Sequence, residues 1–121
     1  MSFSNLGLSK SLLKEIENQK YTTPTPIQSQ AIPAVLDRKD VLGIAKTGSG
    51  KTASFVLPIL MNLQGTETAS HRHINVLVLV PTRELAIQVN DVFNSFASVM
   101  PNPPKTLAVF GGVSLNTQMQ E

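Results

Sequence analysis

The stretch Asp40-Val-Leu-Gly-Ile-Ala-Lys-Thr-Gly-Ser-Gly-Lys-Thr52 decides the reading of this chain. Its first half is an apolar run with the character of a buried strand. Its second half is rich in glycine and opens onto Lys51-Thr-Ala-Ser-Phe-Val-Leu57, which reads as the start of a helix. Strand, glycine-rich loop and helix form the context in which a Walker A match has physical meaning. Glycine reaches φ > 0 and lets the main chain approach a ligand, so successive backbone N–H groups of such a loop wrap phosphate oxygens. The helix N-terminus behind it adds roughly half a positive charge. The expectation is a triphosphate held by Ala45, Lys46, Thr47, Gly48, Ser49 and Gly50, with Lys51 on the β- and γ-phosphates and the Thr52 hydroxyl on Mg²⁺. Lys51 and Thr52 are therefore the catalytic candidates. One position departs from the pattern: Ala45 stands where the consensus begins with glycine, and Gly43 does not restore the register. The simpler alternative is a Gly/Ser turn with a surface lysine.

Working outward from the loop, Ser9 reads as the N-cap of a helix over about 10–19, with Leu12, Leu13 and Ile16 on one face. Tyr21-Thr-Thr-Pro-Thr-Pro26 is too rich in proline to be helical. Thr25-Pro-Ile-Gln28 is a helix start, with threonine at the cap, proline at the first position and glutamine at the third. Pro33 is expected to break or kink that helix, and Pro58 to bend the one over about 50–63. Strands are predicted at about 40–45, at Ile74-Asn-Val-Leu-Val-Leu-Val80 and at Thr106-Leu-Ala-Val-Phe110, and helices at about 83–99 and from about Leu115. Strand and helix alternating in this way imply right-handed crossovers and an α/β fold with a parallel sheet. Ligands bind at the carboxyl ends of the strands in such sheets. That places the glycine-rich loop, Pro81-Thr82-Arg83 and Gly111-Gly112 on one edge.

Length and composition bound the alternatives. At 121 residues, 41% hydrophobic and 15% charged, the chain suits one small globular unit. It has no cysteine, so no disulfide supports the fold. The start Met1-Ser-Phe-Ser-Asn lacks the features of a signal peptide, and no apolar run approaches the ~20 residues of a membrane span. A cytoplasmic protein without membrane contact is the expectation. The net charge of +2 is too small to establish nucleic-acid binding by itself. His71 and His73 sit in a polar stretch with no third ligand nearby, which argues against a metal site there.

Four signals fall in order: Tyr21-Thr-Thr-Pro-Thr-Pro-Ile-Gln28, Ala45–Thr52, Pro81-Thr-Arg-Glu-Leu-Ala86 and Gly111-Gly112. Their order and spacing closely resemble the first recombinase-like domain of DEAD-box RNA helicases, as that family's Q motif, motif I, motif Ia and GG motif. The resemblance runs from Phe3 to about Gln120. The opening Met1-Ser-Phe-Ser-Asn-Leu-Gly-Leu-Ser9 and the ending Val109-Phe-Gly-Gly-Val-Ser-Leu-Asn-Thr-Gln-Met119 look most like the bacterial RhlE-like branch. The resemblance implies a P-loop NTPase domain present as its N-terminal portion, with a Q-motif region over 1–29 and the ATP-binding part over 30–121. It implies ATP and Mg²⁺ as cofactors and RNA as partner. Tyr21, Thr23 and Gln28 join the loop residues in the ATP site, with Gln28 pairing to the adenine edge and Tyr21 stacking on the base. Pro81, Thr82, Arg83, Gly111 and Gly112 contact the RNA backbone.

Each of these residues has a plainer reading. Thr25 and Gln28 also spell a capping box. Tyr21 can be an ordinary packed aromatic, and Phe3 an anchor for the first helix. Thr82 can simply cap the helix from 83, although a basic Arg83 at that end opposes the helix dipole. Gly111-Gly112 can be a turn. Glu84 is given no chemistry. The usual glycine before the aromatic is Lys20 here.

In the family, an Asp-Glu-Ala-Asp stretch, a Ser-Ala-Thr motif and a second domain with an arginine finger complete phosphoryl transfer. None occurs in these 121 residues. The expectation is weak nucleotide binding with negligible hydrolysis by this chain alone, and unpaired strand edges that favour marginal stability or self-association. The readings carried forward are a part of an RNA helicase and an inert nucleotide- and RNA-binding fragment. A different P-loop protein such as a GTPase is disfavoured by Tyr21–Gln28.

Overall fold

The computed structural model describes residues 2–64, 75–101 and 103–109. A 3-10 turn at Phe3–Asn5 precedes four helices: α1 (Lys10–Asn18), α2 (Pro26–Leu36), α3 (Lys51–Gln64) and α4 (Arg83–Ala97). Three of them start on a side-chain cap. Ser9 Oγ accepts from the Leu12 N–H, Thr25 and Gln28 form the full capping box, and Thr82 Oγ1 accepts from the Leu85 N–H. At α3 the residue before the helix is Gly50, which has no side chain to offer; its carbonyl accepts from the Ser54 N–H at 3.2 Å.

Two helices end in the same way. After α1, the Tyr21 N–H donates to the Ile16 carbonyl at 3.0 Å and the Lys20 N–H to Glu17 at 2.9 Å, with Lys20 at φ 66°. After α2, the Lys39 N–H donates to Ala34 at 3.1 Å and the Arg38 N–H to Val35 at 2.9 Å, with Arg38 at φ 59°. Both are Schellman motifs with a long basic residue in the left-handed position that glycine prefers. Lys20 therefore makes the turn that a glycine would make, at a conformational cost of about 1–2 kcal/mol. Lys20→Gly is expected to stabilise the chain by about 0.5–1 kcal/mol, the gain being trimmed by the greater freedom of glycine when unfolded. A melting temperature unchanged or lowered by Lys20→Gly would contradict the motif.

Of the break or kink expected at Pro33, the break does not occur. The helix runs on to Leu36, and the Asp37 N–H closes its last turn on the Pro33 carbonyl at 3.0 Å. Pro33 is exposed, so the i−4 carbonyl that lacks a donor is at a face water can reach. α3 likewise continues through the buried Pro58.

One core joins every helix. Phe3, Leu6, Leu8, Leu12 and Ile16 from the N-terminal segment share a cluster with Ile32 of α2, Val56, Leu57 and Leu60 of α3, and Val89, Phe93 and Phe96 of α4. α2 packs most extensively on α3, and Asn62 Nδ2 donates to the Val35 carbonyl at 3.0 Å where α2 ends. Thr106 Oγ1 donates to Asn94 Oδ1 at 2.6 Å, tying the last described stretch to α4.

The expected strands require a correction. Among the described residues no strand is hydrogen-bonded into a ladder: 40–45, 75–80 and 103–109 run without pairing. The side-chain alternation is nevertheless present. Val78 and Val80 pack against the core, while Leu77 and Leu79 are 73% and 84% exposed. Leu42 and Ile44 are exposed too, at 88% and 85%. Apolar patterning decides which face lies on the helices; a strand also needs a neighbouring backbone about 4.8 Å away, which the pattern does not specify. The predicted helix near Leu115, Phe110, Gly111, Gly112, His71 and His73 lie outside the described residues.

Candidate nucleotide site

The glycine-rich loop makes a tight turn in front of α3. Gly48 and Gly50 have φ of 82° and 84°, and the Ser49 N–H between them donates to the Lys46 carbonyl at 3.1 Å. A Cβ at Gly48 would meet nothing within 4 Å, so the loop is open on that side. Ala45 is not among the residues at positive φ. The departure from the consensus therefore falls where the backbone does not need glycine. Lys46, Thr47 and Gly48 are exposed, Ala45, Ser49 and Gly50 half-buried. Ser49 Oγ is enclosed without a hydrogen-bond partner. Lys51 is exposed in the first turn of α3 and Thr52 beside it is half-buried. The Ser54 hydroxyl donates to the Lys51 carbonyl. An open turn, free-running N–H groups at an N-terminus capped only by glycine, an ammonium and a hydroxyl make a donor set that fits a phosphate chain with its magnesium ion.

Gln28 joins this loop to α2. Its Oε1 accepts from the Thr25 N–H at 2.9 Å, its own N–H reaches Thr25 Oγ1 at 3.4 Å, and its Nε2 donates to the Gly50 carbonyl at 3.2 Å. The side chain is 1% exposed. The capping-box reading of Thr25-x-x-Gln28 is thus realised, and the same amide reaches 22 residues along the chain to the glycine-rich loop. A carboxamide has two lone pairs and two N–H bonds, so one acceptor and one donor position remain on Gln28. Thr25 Oγ1 lies 3.4 Å from where a Gly50 Cβ would stand, so the cap residue also borders the loop.

Tyr21 sits 41% exposed where α1 has just ended. Its ring is edge-on to Phe3, with centroids 6.5 Å apart, and stacked on Phe96 of α4 at 6.4 Å and 28°. Phe3 is buried, so it anchors the N-terminal segment and borders the Tyr21 ring at once. Thr23 is exposed in the connector.

Pro81, Thr82 and Arg83 form the exposed entry to α4, with Thr82 as its N-cap through Leu85 at 3.1 Å. The structure brings Gln28, Thr25 and the loop together through the bonds of the Gln28 amide. Among the described residues no group of three or more His, Asp or Glu side chains could hold a metal ion. No described helix is long and apolar enough to cross a membrane.

Two features of the site escaped sequence reasoning. The Gly50 carbonyl as partner of Gln28 has no sequence signal, since any residue has a carbonyl. Phe96 reads only as part of the apolar stripe Val89, Phe93, Phe96, Ala97, which marks core and does not say what lies above it.

Comparison with known proteins places the chain. Residues 25–121 match the DEAD/DEAH box helicase family, and the chain belongs to it. It is 45% identical over 119 residues to the DEAD-box ATP-dependent RNA helicase RhpA of Helicobacter pylori (strain ATCC 700392 / 26695), covering 98% of this chain and 23% of RhpA. The structure resembles the RNA helicase Prp28 of Chaetomium thermophilum bound to ADP, with a TM-score of 0.87, 37% identity, and coverage of 98% of this chain and 28% of that one. It also resembles a Dbp5 variant of S. cerevisiae bound to RNA and ADP BeF3, with a TM-score of 0.71, 31% identity, and coverage of 83% and 25%. The fold class is accordingly that of the recombinase-like α/β domains of DEAD-box helicases. The chain spans about a quarter of the length of the relatives it matches.

Proposed function

We propose that this chain is the ATP- and RNA-binding portion of an ATP-dependent RNA helicase that couples ATP hydrolysis to local unwinding of RNA duplexes. The observation that supports the proposal is the hydrogen bond from Gln28 Nε2 to the Gly50 carbonyl, which links the candidate adenine reader to the glycine-rich loop. Gln28 reads adenine with its remaining donor and acceptor, Tyr21 stacks on the base, and Thr23 lines the approach. The loop from Ala45 to Gly50 and Lys51 hold the phosphates, and Thr52 holds Mg²⁺ through the nucleotide. Pro81, Thr82 and Arg83, with Gly111 and Gly112, take the RNA backbone, a mode of contact that is largely independent of sequence. A cytoplasmic, RhlE-like bacterial protein is the finer reading, supported by the opening Met1–Ser9 and the ending Val109–Met119.

Tyr21 is the only tyrosine and there is no tryptophan, so intrinsic fluorescence reports on this ring alone. Titration with ADP is expected to quench it, and GDP to bind at least about fivefold more weakly, as loss of a bidentate base contact implies. Equal affinities for ADP and GDP would remove the adenine role of Gln28, and unchanged fluorescence at saturating ADP would remove that of Tyr21.

A further inference from the structure

The ring expected to stack on the base is held from below by two adjacent residues of α4. Phe96 has no exposed surface and stacks beneath Tyr21 at 6.4 Å. Beside it, Ser95 Oγ accepts from Gln19 Nε2 at 3.3 Å, across 76 residues of sequence. Gln19 caps the end of α1, one residue before Lys20 turns the chain left-handed and delivers Tyr21. The backbone of that turn is set by its own hydrogen bonds to Ile16 and Glu17. Those bonds fix the turn relative to α1. Against the rest of the molecule, the turn is tied by Ser95 and the ring rests on Phe96, with Phe3 edge-on at its side.

We propose that Ser95 and Phe96 are positioning residues for Tyr21, a platform on α4 that presents the Tyr21 ring to the purine base. This rests on the reading of Tyr21 as the base-stacking residue. A half-exposed tyrosine on the connector between α1 and α2 samples several rotamers unless it is packed, and each unproductive one subtracts from stacking affinity. A buried aromatic beneath it favours an offset-stacked orientation, and the hydrogen bond from Gln19 keeps the turn over that aromatic. The platform acts on base binding rather than on the glycine-rich loop, because the hydrogen bonds described for that loop run through Lys46, Ser54 and Gln28.

The test measures calorimetric affinities of the 121-residue chain for ADP and for inorganic pyrophosphate. Phe96→Leu is expected to weaken ADP binding roughly fivefold, the low end of a lost base–aromatic stack, with pyrophosphate changed less than about twofold. Ser95→Ala removes the Gln19 bond, together with a local bond from the Ser95 hydroxyl to the Val92 carbonyl within α4, and is expected to shift ADP binding in the same sense by about twofold to threefold. It also serves as the second variant if Phe96→Leu does not fold. Val89→Ala, a core deletion on the same helix about 10 Å away, controls for general loosening. The proposal is overturned if neither variant at 95 or 96 alters the ratio of ADP to pyrophosphate affinity, or if Val89→Ala alters it as much. Wild-type chain that binds ADP no more tightly than pyrophosphate would instead bring down the base-stacking reading on which the proposal stands.

Discussion

Gly50→Ala is expected to destabilise the chain by about 2–4 kcal/mol and to weaken nucleotide binding together with it. Two costs combine. Gly50 lies at φ 84°, a conformation that costs an L-residue about 1–2 kcal/mol. The added Cβ would also stand 2.3 Å from Gln28 Nε2 and 3.1 Å from its Cδ. The far end of a flexible side chain normally moves aside, but Gln28 is 1% exposed and held at its oxygen by the Thr25 N–H. Displacing it breaks the capping box of α2 and strips the Gly50 carbonyl of a donor, a further 1–3 kcal/mol or so for buried polar groups. Denaturant unfolding measures the sum. Gly48→Ala is the control: φ is 82° there, and the new methyl group meets nothing within 4 Å. If the two variants are equally destabilised, the steric conflict with Gln28 is not the dominant cost.

Lys51→Ala is expected to leave the fold intact and to weaken ATP binding by about 10- to 100-fold, the span of one charge-assisted hydrogen bond at about 1.5–3 kcal/mol. The side chain is exposed in the first turn of α3, and its truncation removes no core contact. Circular dichroism should therefore be unchanged while calorimetry with ATP loses its signal. The contrast with Gly50→Ala is informative, since there stability and binding fall together. Affinity for ATP within twofold of wild type would remove the Walker A assignment of Lys51.

The local structure was open to reading because local rules suffice for it. Ser9, Thr25 and Thr82 each cap the helix that follows, with side chains satisfying N–H groups three residues on. The departures Ala45 and Lys20 leave the local turns intact, Ala45 without strain and Lys20 at a conformational cost. Ala45 sits where φ is ordinary, and Lys20 accepts φ 66° inside a Schellman turn. A backbone requirement belongs to a conformation, and one letter of a consensus does not state which conformation is present. Pro33 does not break α2 for a related reason. The penalty for proline depends on whether the carbonyl it orphans is buried, and this is an exposed face.

The sequence by itself determined the described helices, the caps of three of them, the glycine-rich turn and the family, because caps, glycine turns and motif spacing act over a few residues and need no distant partner. Only the tertiary structure decided what those parts do to each other. It alone shows that Gln28 Nε2 donates to Gly50, that Tyr21 rests on Phe96, and that Val78 and Val80 of an extended stretch pack on the helical core. Each is a contact between residues remote along the chain. Such contacts depend on how α2 packs on α3 and how α4 crosses the N-terminal segment, and that packing is chosen by the whole apolar core at once.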